Sequence, residues 1–469
     1  MRHEVRADLS ARAENAAPGT SALPVFVVED HTVPLFELTL ALPIGDVLDP
    51  ADRVGLASLT ATLLRSGGAG ERSAEQLDEE IAYLGVELDV IGGGFRSGIR
   101  LDGSPRVLEP ALDLLADVLL RPRFDEDRLA LLRRNLEASM RSRNDAPGQI
   151  ASRNWAWLMW GHQHPLARQV LPGHLVAIDR DAVGAFHRRH WHAPGAVLAI
   201  SGDVDTVAVL ELLGRKLGPW IAAKDAAAFA LPATPSPLPP PERAPPGVYW
   251  RELDTPRVEI VLGDAAYRRA SWDDPDAFAI QVMSEIFDGP GAISRLRSRL
   301  RGQESLVYTA GASVGIGTLL EGLFEVRLGT TPENAVRAIA LALEEIQRMR
   351  NQLPHPRELE LGKRIHLDAF PLLFDSAEKI SGRFAEDVLL GRPHSYWTTY
   401  RDRVQGVTLD RVLGAAQRTL HPDQLRLLWV GPPPPEDELR KLGFRVFTRL
   451  PLRDPFTLEV VGEAGSGRP

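Results

Sequence analysis

The chain has 469 residues, 44% of them apolar and 25% charged, with a formal charge of −9 and no cysteine. That composition belongs to a soluble globular protein of about two to four domains, and its acid excess speaks against nucleic acid, whose binding rests on neutralising phosphates with Lys and Arg. The lack of cysteine excludes disulfides, thiolate zinc sites and cysteine nucleophiles, and fits a reducing cytoplasm or a bacterial periplasm equally well.

Residues 1–22 read as a polar, alanine-rich extension without the apolar core of a signal peptide, and no stretch of the chain approaches the roughly 18 to 20 apolar residues of a membrane span. Phe36, Leu38, Leu40 and Leu42 alternate with Glu37, Thr39 and Ala41, which predicts a half-buried strand. Val86, Leu88 and Val90 alternate with Glu87 and Asp89 in the same way. The next glycine run, IGGGFRSG, lacks the lysine and serine of a P-loop after it and is expected to be a strand bend or hairpin. Leu108, Ala111, Leu112, Leu115, Val118 and Leu119 fall on one helical face. His162 and His164 in GHQHP, and His187, His190 and His192 in H-x-x-H-x-H, superficially resemble ligand sets, and structural or surface roles are the expectation for both.

Between Leu231 and Gly247 the chain reads LPATPSPLPPPERAPPG, with eight prolines. With its alanine-rich lead-in it predicts a semi-rigid spacer over 222–247. Beyond it the pattern returns: Val258, Ile260 and Leu262 as strand, then Val336, Ile339, Leu343 and Ile346 as a helix started by Thr331 and Pro332. The landmarks also recur in order. Asp49-Pro50 matches Asp274-Pro275, Gly161 matches Gly391, and Ala193-Pro194 with its apolar run matches His421-Pro422 with its own. An internal repeat at nearly constant offset predicts a duplicated domain. The expected organisation is α+β, two homologous domains over 23–221 and 248–451, each a mostly antiparallel sheet with helices packed on one face, and a tail over 452–469.

Several phrases resemble the pitrilysin, insulinase and processing-peptidase family of zinc peptidases. GLASLTATLL, from Gly55, is similar to the helix on which that family carries H-x-x-E-H; HPLARQVLPGHLVAI, SRLRSRLRGQESLVYTAG, RLGTTPENAVRAIALALEEI and RELELGKR are similar to its later landmarks, over about Leu23 to Pro451. In H-x-x-E-H two histidines at i and i+4 bind zinc and the glutamate acts as general base. The corresponding positions here are Ser58, Ala61 and Thr62, and aligning on Asp145-Ala146-Pro147 puts the third ligand at Ser139. Glu137, two residues away, lies on another face of that helix. The resemblance therefore implies a chain without metal of its own.

In active relatives an arginine and a tyrosine seven residues later reach the substrate. Arg301 and Tyr308 have that spacing within the matched junction, and Asp288-Gly289-Pro290-Gly291 upstream reads most simply as a flexible turn. A charged guanidinium can hold a carbonyl or carboxylate, and a neutral tyrosine hydroxyl can donate to a developing oxyanion. The resemblance thus implies a zinc-free, singly inactive subunit, forming half of a clamshell with a homologous H-x-x-E-H partner that carries the zinc. Extended peptides would bind by adding a strand to a sheet edge. The alternative is an inert scaffold of the same fold on which Arg301 and Tyr308 are relics.

Overall fold

The computed structural model describes residues 23–222, 238–290, 294–393 and 395–461. The extension 1–22, the linker residues 223–237, Gly291 of the glycine turn and residues 462–469 of the tail lie outside the described residues. The chain forms two compact units. Described residues of the first fall within Met1–Ala138, Arg168–Pro237 and Leu372–His394, and those of the second within Ser139–Ala167, Leu238–Pro371 and Ser395–Pro469.

The first unit is built on β1 (Val25–Glu29), β2 (Phe36–Leu42), β3 (Glu87–Gly93), β4 (Arg96–Gly103) and β5 (Val197–Gly202), in the order β1-β5-β2-β4-β3. β1 runs parallel to β5 and the other pairs are antiparallel. The alternation in β2 does what its period demands: Phe36, Leu38, Leu40 and Leu42 are no more than 1% exposed. The intervening residues are half-buried because the opposite face carries helix Ala377–Leu390, whose Ala377, Ile380 and Ala385 pack on Val28, Val197 and Ala199. The glycine run forms the β3–β4 hairpin, with Gly94 at φ +54° in its turn, a left-handed conformation that glycine adopts without steric cost.

The second unit contains β6 (Gly247–Glu252), β7 (Val258–Ala265), β9 (Val307–Val314), β11 (Leu323–Thr330), β12 (Arg426–Gly431) and β13 (Phe447–Arg449), in the order β13-β6-β12-β7-β11-β9; β8 (Tyr267–Arg268) and β10 (Ile316–Gly317) form a separate ribbon. Without β13, the order and the parallel or antiparallel sense of every pair repeat those of the first sheet. β3 and β9 are therefore equivalent edge strands.

One face of the second sheet buries Val258, Ile260 and Leu262 with Phe278, Phe287, Phe324, Ile339 and Trp429. Each such side chain contributes about 1.5–3 kcal/mol of burial. The other face receives helix Pro147–Trp160, whose Ile150, Trp155 and Met159 pack on Tyr249, Val261, Leu428 and Val430. Helix Pro332–Asn351 begins as its sequence suggests, with Pro332 at the first position, although the Thr331 hydroxyl makes no capping bond. No described helix is long and apolar enough to cross a membrane.

Candidate functional site

Helix Leu56–Ser66 starts from a buried carboxylate. Asp49 accepts the N–H of Gly55 at 2.7 Å and that of Ala57 at 2.8 Å, and burial pushes its pKa up to about 6 against those two bonds. Asp274, its counterpart in the repeat, accepts the N–H of Asp276 at 3.0 Å and starts helix Pro275–Asp288. The shared Asp-Pro landmark thus has a physical reason: both aspartates hold the free donors of a helix N-terminus.

Along helix Leu56–Ser66 each position that would serve a metal has another occupation. Ser58 donates its hydroxyl to Asp46 at 2.7 Å, and the second oxygen of Asp46 accepts the N–H of Gly94 at 3.0 Å. One carboxylate so ties the helix to the β3–β4 turn, and each bond to it, being partly solvated, is worth about 0.5–1 kcal/mol. Ala61 is 1% exposed and lies against β3. A Cβ placed on Gly92 would stand 2.5 Å from the Ala61 Cβ, so neither residue can grow without displacing the other. Thr62 is exposed and returns its hydroxyl to the Ser58 carbonyl at 2.9 Å.

These residues do not fit a zinc ion. Two hydroxyls are engaged as donors, and the position of the base is a methyl packed against backbone. Ser139 is exposed on helix Glu126–Arg141, with Glu137 half-buried on a different side. Among the described residues no group of three or more His, Cys, Asp or Glu side chains is placed to hold a metal.

The histidines are packing residues. His187 is buried edge-on to Phe124 at 5.6 Å, and burial pulls its pKa down to about 4. His190 lies 4.5 Å from the Phe186 ring and is lowered to about 4, again chiefly by burial. His192 holds the Arg189 carbonyl at 2.9 Å. His162 stacks on Trp157 at 4.3 Å, and His164 stacks on Trp160 while its Nε2 meets the Pro239 carbonyl at 3.0 Å.

In the second unit the turn Arg295–Arg297 runs into a wide turn, Ser298–Gln303, anchored by Leu296 and Leu300 with no exposed surface. Asp288 joins this segment to the sheet edge. It accepts from the Ser294 hydroxyl at 2.7 Å, the Arg297 guanidinium at 2.9 Å and the Ala312 N–H of β9 at 2.6 Å. Ser284 accepts the Val314 N–H at 3.4 Å. The far half of the β9 edge is thereby tied to helix Pro275–Asp288.

The near half, from Tyr308, is not tied in this way. Tyr308 sits beside a register shift in the pairing with β11 and is 59% exposed, with the Arg257 guanidinium 5.7 Å from its ring. Arg301 is exposed in the preceding wide turn, and among the described residues nothing pairs with its guanidinium or with the Tyr308 hydroxyl. The structure therefore carries both on one segment, at the start of one edge strand.

Residues 177–365 match the family described as the Peptidase M16 inactive domain. The crystal structure of a peptidase M16 inactive domain from Pseudomonas fluorescens superposes with a TM-score of 0.76, covering 89% of this chain and 98% of that one, at 22% identity. The chain is similar to M16 peptidases over residues 177–365 and shares the fold of that structure. Curated relatives agree: a probable mitochondrial-processing peptidase subunit beta of Arabidopsis thaliana is 27% identical over 47% of this chain and 40% of its own length. An uncharacterized zinc protease of Streptomyces coelicolor is 25% identical over 60% of each chain. The chain thus spans only about two-fifths to three-fifths of the curated relatives it matches.

It carries an inactive M16-like domain. Two partners of helix Leu56–Ser66, Asp46 and Gly92, escape a reading of the sequence: a contact between an alanine on one helix and a glycine on a strand 31 residues later has no periodic signature.

Proposed function

We propose that this chain is the non-catalytic, zinc-free subunit of a two-chain zinc peptidase. In this reading a homologous H-x-x-E-H subunit supplies metal and base, and this chain completes the substrate chamber. Its contribution to chemistry is Arg301, holding a carbonyl or carboxylate of an extended peptide, and Tyr308, donating to the oxyanion that develops at the scissile carbonyl.

The observation that carries the reading is the contrast on one molecule. Each position of helix Leu56–Ser66 that aligns with the metal motif is engaged in packing or hydrogen bonding, while the Arg301 guanidinium and the Tyr308 hydroxyl stand in solvent without a partner among the described residues. The test is peptide turnover by the reconstituted pair carrying Tyr308→Phe. Turnover about a hundred- to thousandfold lower with assembly intact is expected for loss of one oxyanion donor. Full activity in that variant contradicts a shared site and leaves an inert scaffold.

A further inference from the structure

Helix Pro147–Trp160, strand β6 and the loop after β13 gather arginines on one face of the second unit. Arg153 is 9% exposed; it donates to the Arg143 carbonyl at 3.1 Å and to the Asn144 side chain, and its Nε has no partner among the described residues. Asn144 in turn donates to the Arg453 carbonyl at 3.0 Å, and Arg453 donates to the Leu458 carbonyl at 2.8 Å. Both guanidiniums flank Trp157, at 5.7 Å and 5.4 Å from its ring. Tyr249 on β6 and Leu253, just after it, pack towards the same helix, so strand alternation puts Arg251 on their side.

These charges are not balanced. Among the described residues no carboxylate forms an ion pair with Arg153, Arg251 or Arg453; Glu252 bears on Arg251 only at longer range and bonds to Arg449 at 2.7 Å. Burial pulls the Arg153 pKa down to about 10, and the charges of Arg143, Arg251 and Arg453 add to it. Gathering like charges away from water is unfavourable unless an anion shares the place.

We propose that Arg153, Arg251 and Arg453 form a binding site for a phosphate-class oxyanion. Three uncompensated positive charges call for a multiply charged ligand rather than a single carboxylate. The planar guanidinium fork also matches phosphate oxygens two at a time. Only Arg251 of the three lies in the matched span 177–365. The site is independent of the proposed subunit role.

Titration calorimetry of pyrophosphate and of inorganic phosphate into the full chain, at fixed ionic strength with chloride as control, tests it. One site per chain is expected. Arg251→Gln and Arg453→Gln, each confirmed folded by circular dichroism, are expected to weaken binding by about tenfold or more. Absence of saturable binding overturns the proposal, as does equal binding by both variants. Tighter binding of an oligoglutamate peptide than of either phosphate probe overturns it too, assigning the cluster to acidic peptides.

Discussion

β3 and β9 hold the same place in two sheets of the same strand order, each packed beside the helix that starts at an Asp-Pro landmark. At β3 the adjoining helix is used up. Ala61 presses on Gly92, Arg65 donates to the Leu88 carbonyl at 2.7 Å, and Ser58 and the hairpin turn share Asp46. At β9 the adjoining helix ties down only the far half of the strand, through Asp288 and Ser284, and Tyr308 with the preceding Arg301 is left in water. Side chains at the positions that align with a metal-binding helix have structural work in this fold, while the guanidinium of Arg301 and the hydroxyl of Tyr308 have no partner among the described residues.

The strongest way to break this comparison is Ala61→Glu. If the space beside Gly92 is filled, urea unfolding shows a loss of about 3 kcal/mol or more, from burying a carboxylate in a packed contact. Gly92→Ala, a milder intrusion at the same contact, is expected to cost about 1–3 kcal/mol. Wild-type stability in Ala61→Glu would mean that the position of the base is still open.

Asp46→Ala removes the acceptor of both Ser58 and the Gly94 N–H, and a loss of about 1–2 kcal/mol is expected in the same measurement. No change would separate the helix from the hairpin.

A third test compares equivalent glutamates on β2 and β7. Burial raises the pKa of both Glu37 and Glu259. Glu37 alone also faces a second carboxylate, Glu378, beside Arg100 and Asp102, and is pushed up to about 7. A carboxyl whose folded pKa lies above its unfolded value holds its proton more tightly when folded, so its contribution is complete at low pH. That contribution is lost as pH rises from about 4.5 through about 7. Stability is expected to fall across that window by about 1 kcal/mol, since the group is partly solvated. Glu37→Gln should flatten the profile and Glu259→Gln should change it less. A profile unmoved by Glu37→Gln would contradict the carboxyl pair.

The smallest effect is expected at the β9 end. Arg301→Ala and Tyr308→Phe should each change stability by less than about 0.5 kcal/mol, because neither polar group has a partner to lose among the described residues. A larger loss would give these residues a structural role.

The sheets were legible in the sequence because burial on one face of a strand writes a period of two. Phe36 to Leu42 and Val258 to Leu262 show it, and both strands lie where that alternation puts them. The same logic could not tell what covers the other face. Ile150, Trp155 and Met159 announce a buried helix, but nothing in their spacing says that it packs on β7 and β12, far along the chain. Likewise the residue types at Ser58, Ala61 and Thr62 could be read directly, whereas the contacts they make depend on Asp46, Gly92 and Gly94, which converge only after folding.

The most direct test of the central claim is peptide cleavage by this chain, alone and mixed with a homologous H-x-x-E-H chain, with zinc content measured on each. A chain that is zinc-free and inert alone, yet raises cleavage above that of its partner alone, is the expected result. One bound zinc and chelator-sensitive cleavage by this chain alone would contradict it.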